Sequence, residues 1–87
     1  MRLDKFLKVS RLIKRRTLAK EVADQGRITI NGAQAKASST VSVGDTMQIR
    51  FGQKVVTVEV TTLKETVRKE EADMLYKIIK EEKIDRE

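Results

Sequence analysis

Eight of the first twenty residues are basic: Arg2, Lys5, Lys8, Arg11, Lys14, Arg15, Arg16 and Lys20, against Asp4 as the one acid, a net +7. Residues 21–60 balance four basic against four acidic side chains, and residues 61–87 carry seven basic and eight acidic, a net −1. The formal charge of +6 therefore resides at the N-terminal end. Guanidinium and ammonium groups massed in one short stretch suit a polyanion, because each phosphate they neutralise releases counterions and gives salt-dependent affinity. Other chemistries are poorly supplied. The chain has no His and no Cys, so it lacks an imidazole base, a thiol nucleophile, disulfides and thiolate metal ligands. Zinc would have to bind through carboxylates alone, which is rare. Asp, Glu and Lys remain, but nothing groups carboxylates with a nucleophile. Eighty-seven residues make one small domain with a modest core, hard to reconcile with a multi-part active site. No catalytic residue, metal, cofactor or small-molecule substrate is expected.

Charge alone does not separate RNA from DNA or from an anionic membrane. Membrane binding fits poorly, because the apolar stripe of the first helix is narrow and needed for its own core. No run of 18 apolar residues exists and no apolar segment follows the N-terminus, so a soluble, unexported, cytoplasmic protein is expected. A helix pair with a short connector invites a helix-turn-helix reading and duplex DNA as the ligand. Against it, the second helix has its basic end at the N-terminus and carries Glu21, Asp24 and Gln25 in its last turns. Base-stacking RNA modules need aromatic residues. Phe6, Phe51 and Tyr76 are the only ones, and both Phe fall on core stripes. Structured RNA, read by shape and backbone, fits best.

The cations must be held by helices and a sheet. Leu3, Phe6 and Leu7 fall at i, i+3 and i+4, one stripe of a first helix. Asp4 lies in its first turn, where it complements the helix dipole, pairs with and orients an arginine, or does both. Residues 9–16 form the connector; Leu12 and Ile13 bury, while Arg11, Lys14, Arg15 and Arg16 fan outward. A second helix runs from Arg16 or Thr17 to about Gln25, with Leu18, Val22 and Ala23 as its core stripe and Ala19 small enough for close contact. Gly26 suits the residue after the helix end. Residues 27–30 alternate as a strand with Ile28 and Ile30 inward, and Asn31-Gly32 is a strong hairpin signal. Residues 33–41 read as a short return strand and a loop holding Lys36. After a turn at Val43-Gly44-Asp45, residues 46–51 form a strand with Met47, Ile49 and Phe51 on one face. Gly52-Gln53 turns into a further strand over residues 54–62 carrying Val56, Val58 and Val60. From Glu65 the composition becomes charge-rich. Ala72, Leu75, Tyr76 and Ile79, widened by Met74 and Ile78, make a helical stripe, with i,i+4 pairs Asp73–Lys77 and Lys77–Glu81. The expected architecture is α+β: an RNA-binding domain at residues 1–64 and, at 65–87, an amphipathic C-terminal helix that frays after Lys83 and packs on its own domain or on a partner.

Several segments together resemble a known family. They are RLDKFL at residues 2–7, R-x-x-A from Arg16 to Ala19, GRITING at residues 26–32 and V-x-x-G-D-x-M-x-I at residues 41–49. This is the pattern of the S-four RNA-binding domain, also called the alpha-L motif, and the likeness covers about residues 1–62. It implies two N-terminal helices packed on a small, mostly antiparallel sheet. One departure is Arg15, where many members have Ser or Thr; a capping hydroxyl is lost there or moves to Thr17, and a charge is gained. Most members append the domain to a catalytic one, which is not expected here. Among stand-alone members, the run KVSRLIKRRTLAKEVADQGRI at residues 8–28 and the short acidic-basic tail resemble ribosome-associated quality-control factors. Ribosome-associated heat-shock members, which bind and recycle obstructed large subunits, usually carry a longer basic tail. The resemblance implies binding to a large ribosomal subunit obstructed by peptidyl-tRNA, with contacts to ribosomal RNA and tRNA. It also implies cooperation with the factor that adds C-terminal alanine tails to the stalled chain. By the motif, Arg2, Asp4, Arg11, Lys14, Arg15 and Arg16 fall on the RNA-facing helix pair, with Arg16 the motif arginine. With the flanking cations, the expected RNA-binding set is Arg2, Asp4, Lys5, Lys8, Arg11, Lys14, Arg15, Arg16, Lys20 and Lys36.

Overall fold

The computed structural model describes residues 1–83. Two helices, α1 (Leu3–Val9) and α2 (Arg16–Asp24), precede strands β1 (Ile28–Ile30), β2 (Ala33–Gln34), β3 (Thr46–Phe51) and β4 (Lys54–Val60). A 3-10 helix (Lys69–Leu75) and a fifth strand, β5 (Tyr76–Lys83), follow. The sheet has the order β2-β1-β3-β4-β5, and every pair is antiparallel. The α+β architecture expected from the sequence is present. Among the described residues, no helix is long and apolar enough to cross a membrane.

The helices cover one face of the sheet. Leu3, Phe6 and Leu7 of α1 are fully buried and share a core with Ile28, Met47, Ile49, Val56, Val58 and Val60. Among the described residues, no side chain caps α1. Its first free amides are instead satisfied by the loop after β2: Leu3 donates to the Ser39 carbonyl at 2.8 Å and Asp4 to that of Ala37 at 3.2 Å. That loop thereby fixes the start of α1, and with it the position of Asp4.

Asn31 and Gly32 both have positive φ, 52° and 85°, as a two-residue type I′ hairpin turn requires. The Asn31 side chain also ties the hairpin to β3, accepting from the Thr46 amide at 2.9 Å and donating to Asp45 at 3.0 Å.

Two expectations need correction. The buried stripe of α2 is Ala19, Val22 and Ala23, and Leu18 is 48% exposed. The small Ala19 side chain lets α2 approach the core closely, which rotates Leu18 out into an apolar depression beside Leu12, Ile13, Val22 and Phe51. The tail, in turn, is not an amphipathic α-helix. Ala72 and Leu75 are buried from the 3-10 helix, and β5 then pairs along β4. Without β5, β4 would present open N–H and C=O groups at the sheet edge, and Tyr, Ile and Ile at 76, 78 and 79 favour an extended chain. The expected i,i+4 pairs give way to Lys54–Glu81 across the strands at 3.4 Å and Lys80–Glu82 along β5 at 3.2 Å. The expected fraying after Lys83 lies outside the described residues.

Candidate nucleic-acid interface

The interface is built on Asp4. Its side chain is 5% exposed and faces two guanidinium groups: Arg2 Nε at 3.2 Å and Arg16 Nε at 3.4 Å. The Lys5 amide donates to the same carboxylate at 2.8 Å. Burial alone would raise the Asp4 pKa. The hydrogen bonds from Arg16 and Arg2, the Arg16 charge and the Lys5 amide outweigh it and hold the pKa below the ordinary aspartate value. A permanent negative charge therefore sits under two half-exposed arginines, one before α1 and one opening α2. It fixes their stems and leaves the remaining guanidinium donors for a ligand. Asp4 itself is buried, so it aligns the two arginines and is not one of the surface groups.

Arg16 begins α2, whose N-cap residue Arg15 supplies no side-chain hydrogen bond. The capping hydroxyl that Arg15 replaces is lost and does not move to Thr17. The first-turn amides of α2 stay open beside Lys14, Arg15 and Arg16, an arrangement that favours phosphate.

A second group flanks this one. Lys8, Arg11 and Lys14 line a cleft of about 240 Å³ with Val9, Glu65, Thr66 and Val67. Arg11 has φ of 61°, uncommon for a residue with a side chain, and the connector turns there. Lys5 forms an ion pair with Glu65, which closes one wall of the cleft. Glu65, Thr66 and Val67 escaped the sequence reading because they lie more than fifty residues from the cations and carry no local signal.

Lys36 lies in the loop whose Ala37 and Ser39 carbonyls receive the α1 amides, so it is near the start of α1 and is exposed. Lys20 is set apart, sharing a shallow depression with Thr17, Glu21, Asp24 and Gln25. The structure thus brings Arg2, Asp4 and Arg16 together, and Lys8, Arg11 and Lys14 together. Lys5 is bound to Glu65, Arg15 adjoins Lys14 and Arg16, and Lys20 lies among acids.

Comparison with known proteins places the chain among relatives of one kind. Residues 1–47 match the S4 domain. The chain is 74% identical over 84 residues to the RQC P-site tRNA stabilizing factor of Bacillus subtilis (strain 168), covering 97% of this chain and 98% of that protein. It is 34% identical over 77 residues to the heat shock protein 15 homolog of Haemophilus influenzae, covering 87% of this chain and 59% of that protein. The structure of Vibrio cholerae heat shock protein 15 superposes with a TM-score of 0.83 at 33% identity, over 90% of this chain and 80% of that one.

Proposed function

We propose that this chain, which belongs to the S4 domain family, is an RNA-binding factor of the large ribosomal subunit that steadies P-site tRNA during ribosome-associated quality control. The observation that carries the reading is the Asp4-anchored pair of Arg2 and Arg16, set among unpaired cations beside the open amides of α2. Such a face holds phosphate backbones and offers no aromatic platform for bases, so it suits folded ribosomal RNA and tRNA. The contact residues in this reading are Arg2, Lys8, Arg11, Lys14, Arg15 and Arg16, with Lys5, Lys20 and Lys36 around them. The role is non-catalytic: the factor binds and stabilises, while a separate alanine-tailing factor, its protein partner, extends the stalled chain. Heat-shock-type recycling is the weaker reading, because the relative of that kind is 34% identical whereas the tRNA-stabilizing relative is 74% identical.

Co-sedimentation tests the proposal. The protein should pellet with large subunits carrying peptidyl-tRNA and much less with empty ones. Equal binding to both would remove the tRNA from the account.

A further inference from the structure

Beyond the other end of α2, two arginines stand next to each other, Arg27 just before β1 and Arg50 on β3. Ile28 of β1 pairs with Ile49 of β3 at the end of the ladder, and one residue further the Arg50 amide donates to the Arg27 carbonyl at 2.9 Å, which holds the two arginines side by side. Ile28 and Ile49 are buried, whereas both arginines are exposed. They line one depression of about 450 Å³ with Gln25, Gly26, Gly52 and Gln53, a set without a carboxylate. Among the described residues, neither arginine forms an ion pair. Asp24, the nearest acid in sequence, directs its carboxylate to the Ala37 amide at 3.3 Å.

Like charges directly opposite in a sheet are destabilising. This pair is left uncompensated in the free protein, and an anion between the guanidinium groups would relieve the repulsion. The planar forks of arginine match phosphate oxygens, and the two glutamine amides add neutral donors. α2, nine residues and about 13 Å long at 1.5 Å each, runs between Arg16 at its start and the pair beyond its end, so a phosphate held by Arg2 and Arg16 does not also fill this depression. We propose that Arg27 and Arg50 form a second phosphate-binding site, which takes a stretch of RNA backbone other than the one on the N-terminal face. The inference rests on the RNA-binding reading above.

The test uses the full chain, the double variant Arg27→Gln with Arg50→Gln, and Arg16→Gln, each titrated over a salt series onto large subunits with and without peptidyl-tRNA. At about 0.7–0.9 in slope per phosphate, the double variant should flatten the dependence of log affinity on log salt by roughly 0.8, the loss of one phosphate contact. Its affinity should fall about tenfold, the loss expected of weakened charge-assisted contacts. Its melting temperature without RNA should hold or rise, since a repulsive pair has gone. Flattening with both subunit preparations assigns the site to ribosomal RNA; flattening only with peptidyl-tRNA assigns it to tRNA; both support the site. An unchanged slope, with or without a drop in melting temperature, overturns it. If Arg16→Gln still loses binding in that case, the N-terminal reading survives; if Arg16→Gln also binds normally, the RNA-binding reading fails as well.

Discussion

Asp4 is the residue on which a charge-counting account and a geometric account disagree. Replacing it by Asn raises the net charge by one, so charge counting predicts tighter RNA binding. The geometry predicts the reverse, because Arg2 and Arg16 lose the anion that aligns them. Asp4→Asn should therefore bind large subunits more weakly than wild type. The pH dependence carries the same signature. The folded-state pKa of Asp4 is depressed, so its contribution to stability is complete above the unfolded value of about 3.9 and fades as pH falls through the folded value. In urea titrations, the gap between wild type and Asp4→Asn should be constant near neutral pH and narrow below about pH 4. Arg16→Gln removes one contact and one half-exposed ion pair. It should cost under ~1 kcal/mol in stability but about 1.5–3 kcal/mol in binding, tenfold or more. Lys64→Glu, in the near-neutral C-terminal third, should leave binding close to wild type. Equal loss from both changes would mean that no localised site exists.

At the scale of elements, the legible parts were those with a local cause. Leu3, Phe6 and Leu7 announce α1 by spacing, and Asn31-Gly32 announces the hairpin by its backbone requirement. The cation cluster was visible from composition. Its organisation was visible only in part, since Asp4 could be given an arginine partner from sequence but Glu65 could not be given Lys5. Leu18 misled because it and Ala19 each complete a helical stripe with Val22, and packing distance chooses the smaller one. The tail misled for a different reason. The register of β5 on β4 shifts at Thr57/Val58, where Val58 faces Ile78 but Thr57 faces Lys80. The extra residue, Ile79, breaks the two-residue alternation by which a strand is recognised, and what remains imitates a helix. A core test follows. Leu75 is 1% exposed and part of the main cluster, so Leu75→Ala should destabilise the chain by roughly 2–4 kcal/mol. Subunit affinity of the folded fraction should be unchanged, because Leu75 is buried and does not line the cationic cleft. A loss below ~0.5 kcal/mol, the size of an ordinary surface change, would mean that the tail does not pack on the domain.

At the scale of the whole molecule, the surface divides into a strongly cationic N-terminal region and a remainder whose charges nearly balance in sum, with Arg27 and Arg50 standing uncompensated within it. Glu81 and Glu82 are matched by Lys54 and Lys80, so the tail does not cancel the field of residues 1–20. Asp4 and Glu65 together neutralise only part of that region's eight cations. A concentrated field of this kind steers the chain toward folded RNA and makes binding depend on ionic strength. The direct measurement is the affinity of the wild-type chain for large subunits carrying peptidyl-tRNA across a salt series. If four to six N-terminal cations each neutralise a phosphate, log affinity should fall against log salt with a slope of about −4 or steeper, at roughly 0.9 per contact. A slope near zero would show that protein–protein contacts hold the chain on the subunit and that the cationic face is not its RNA-binding surface.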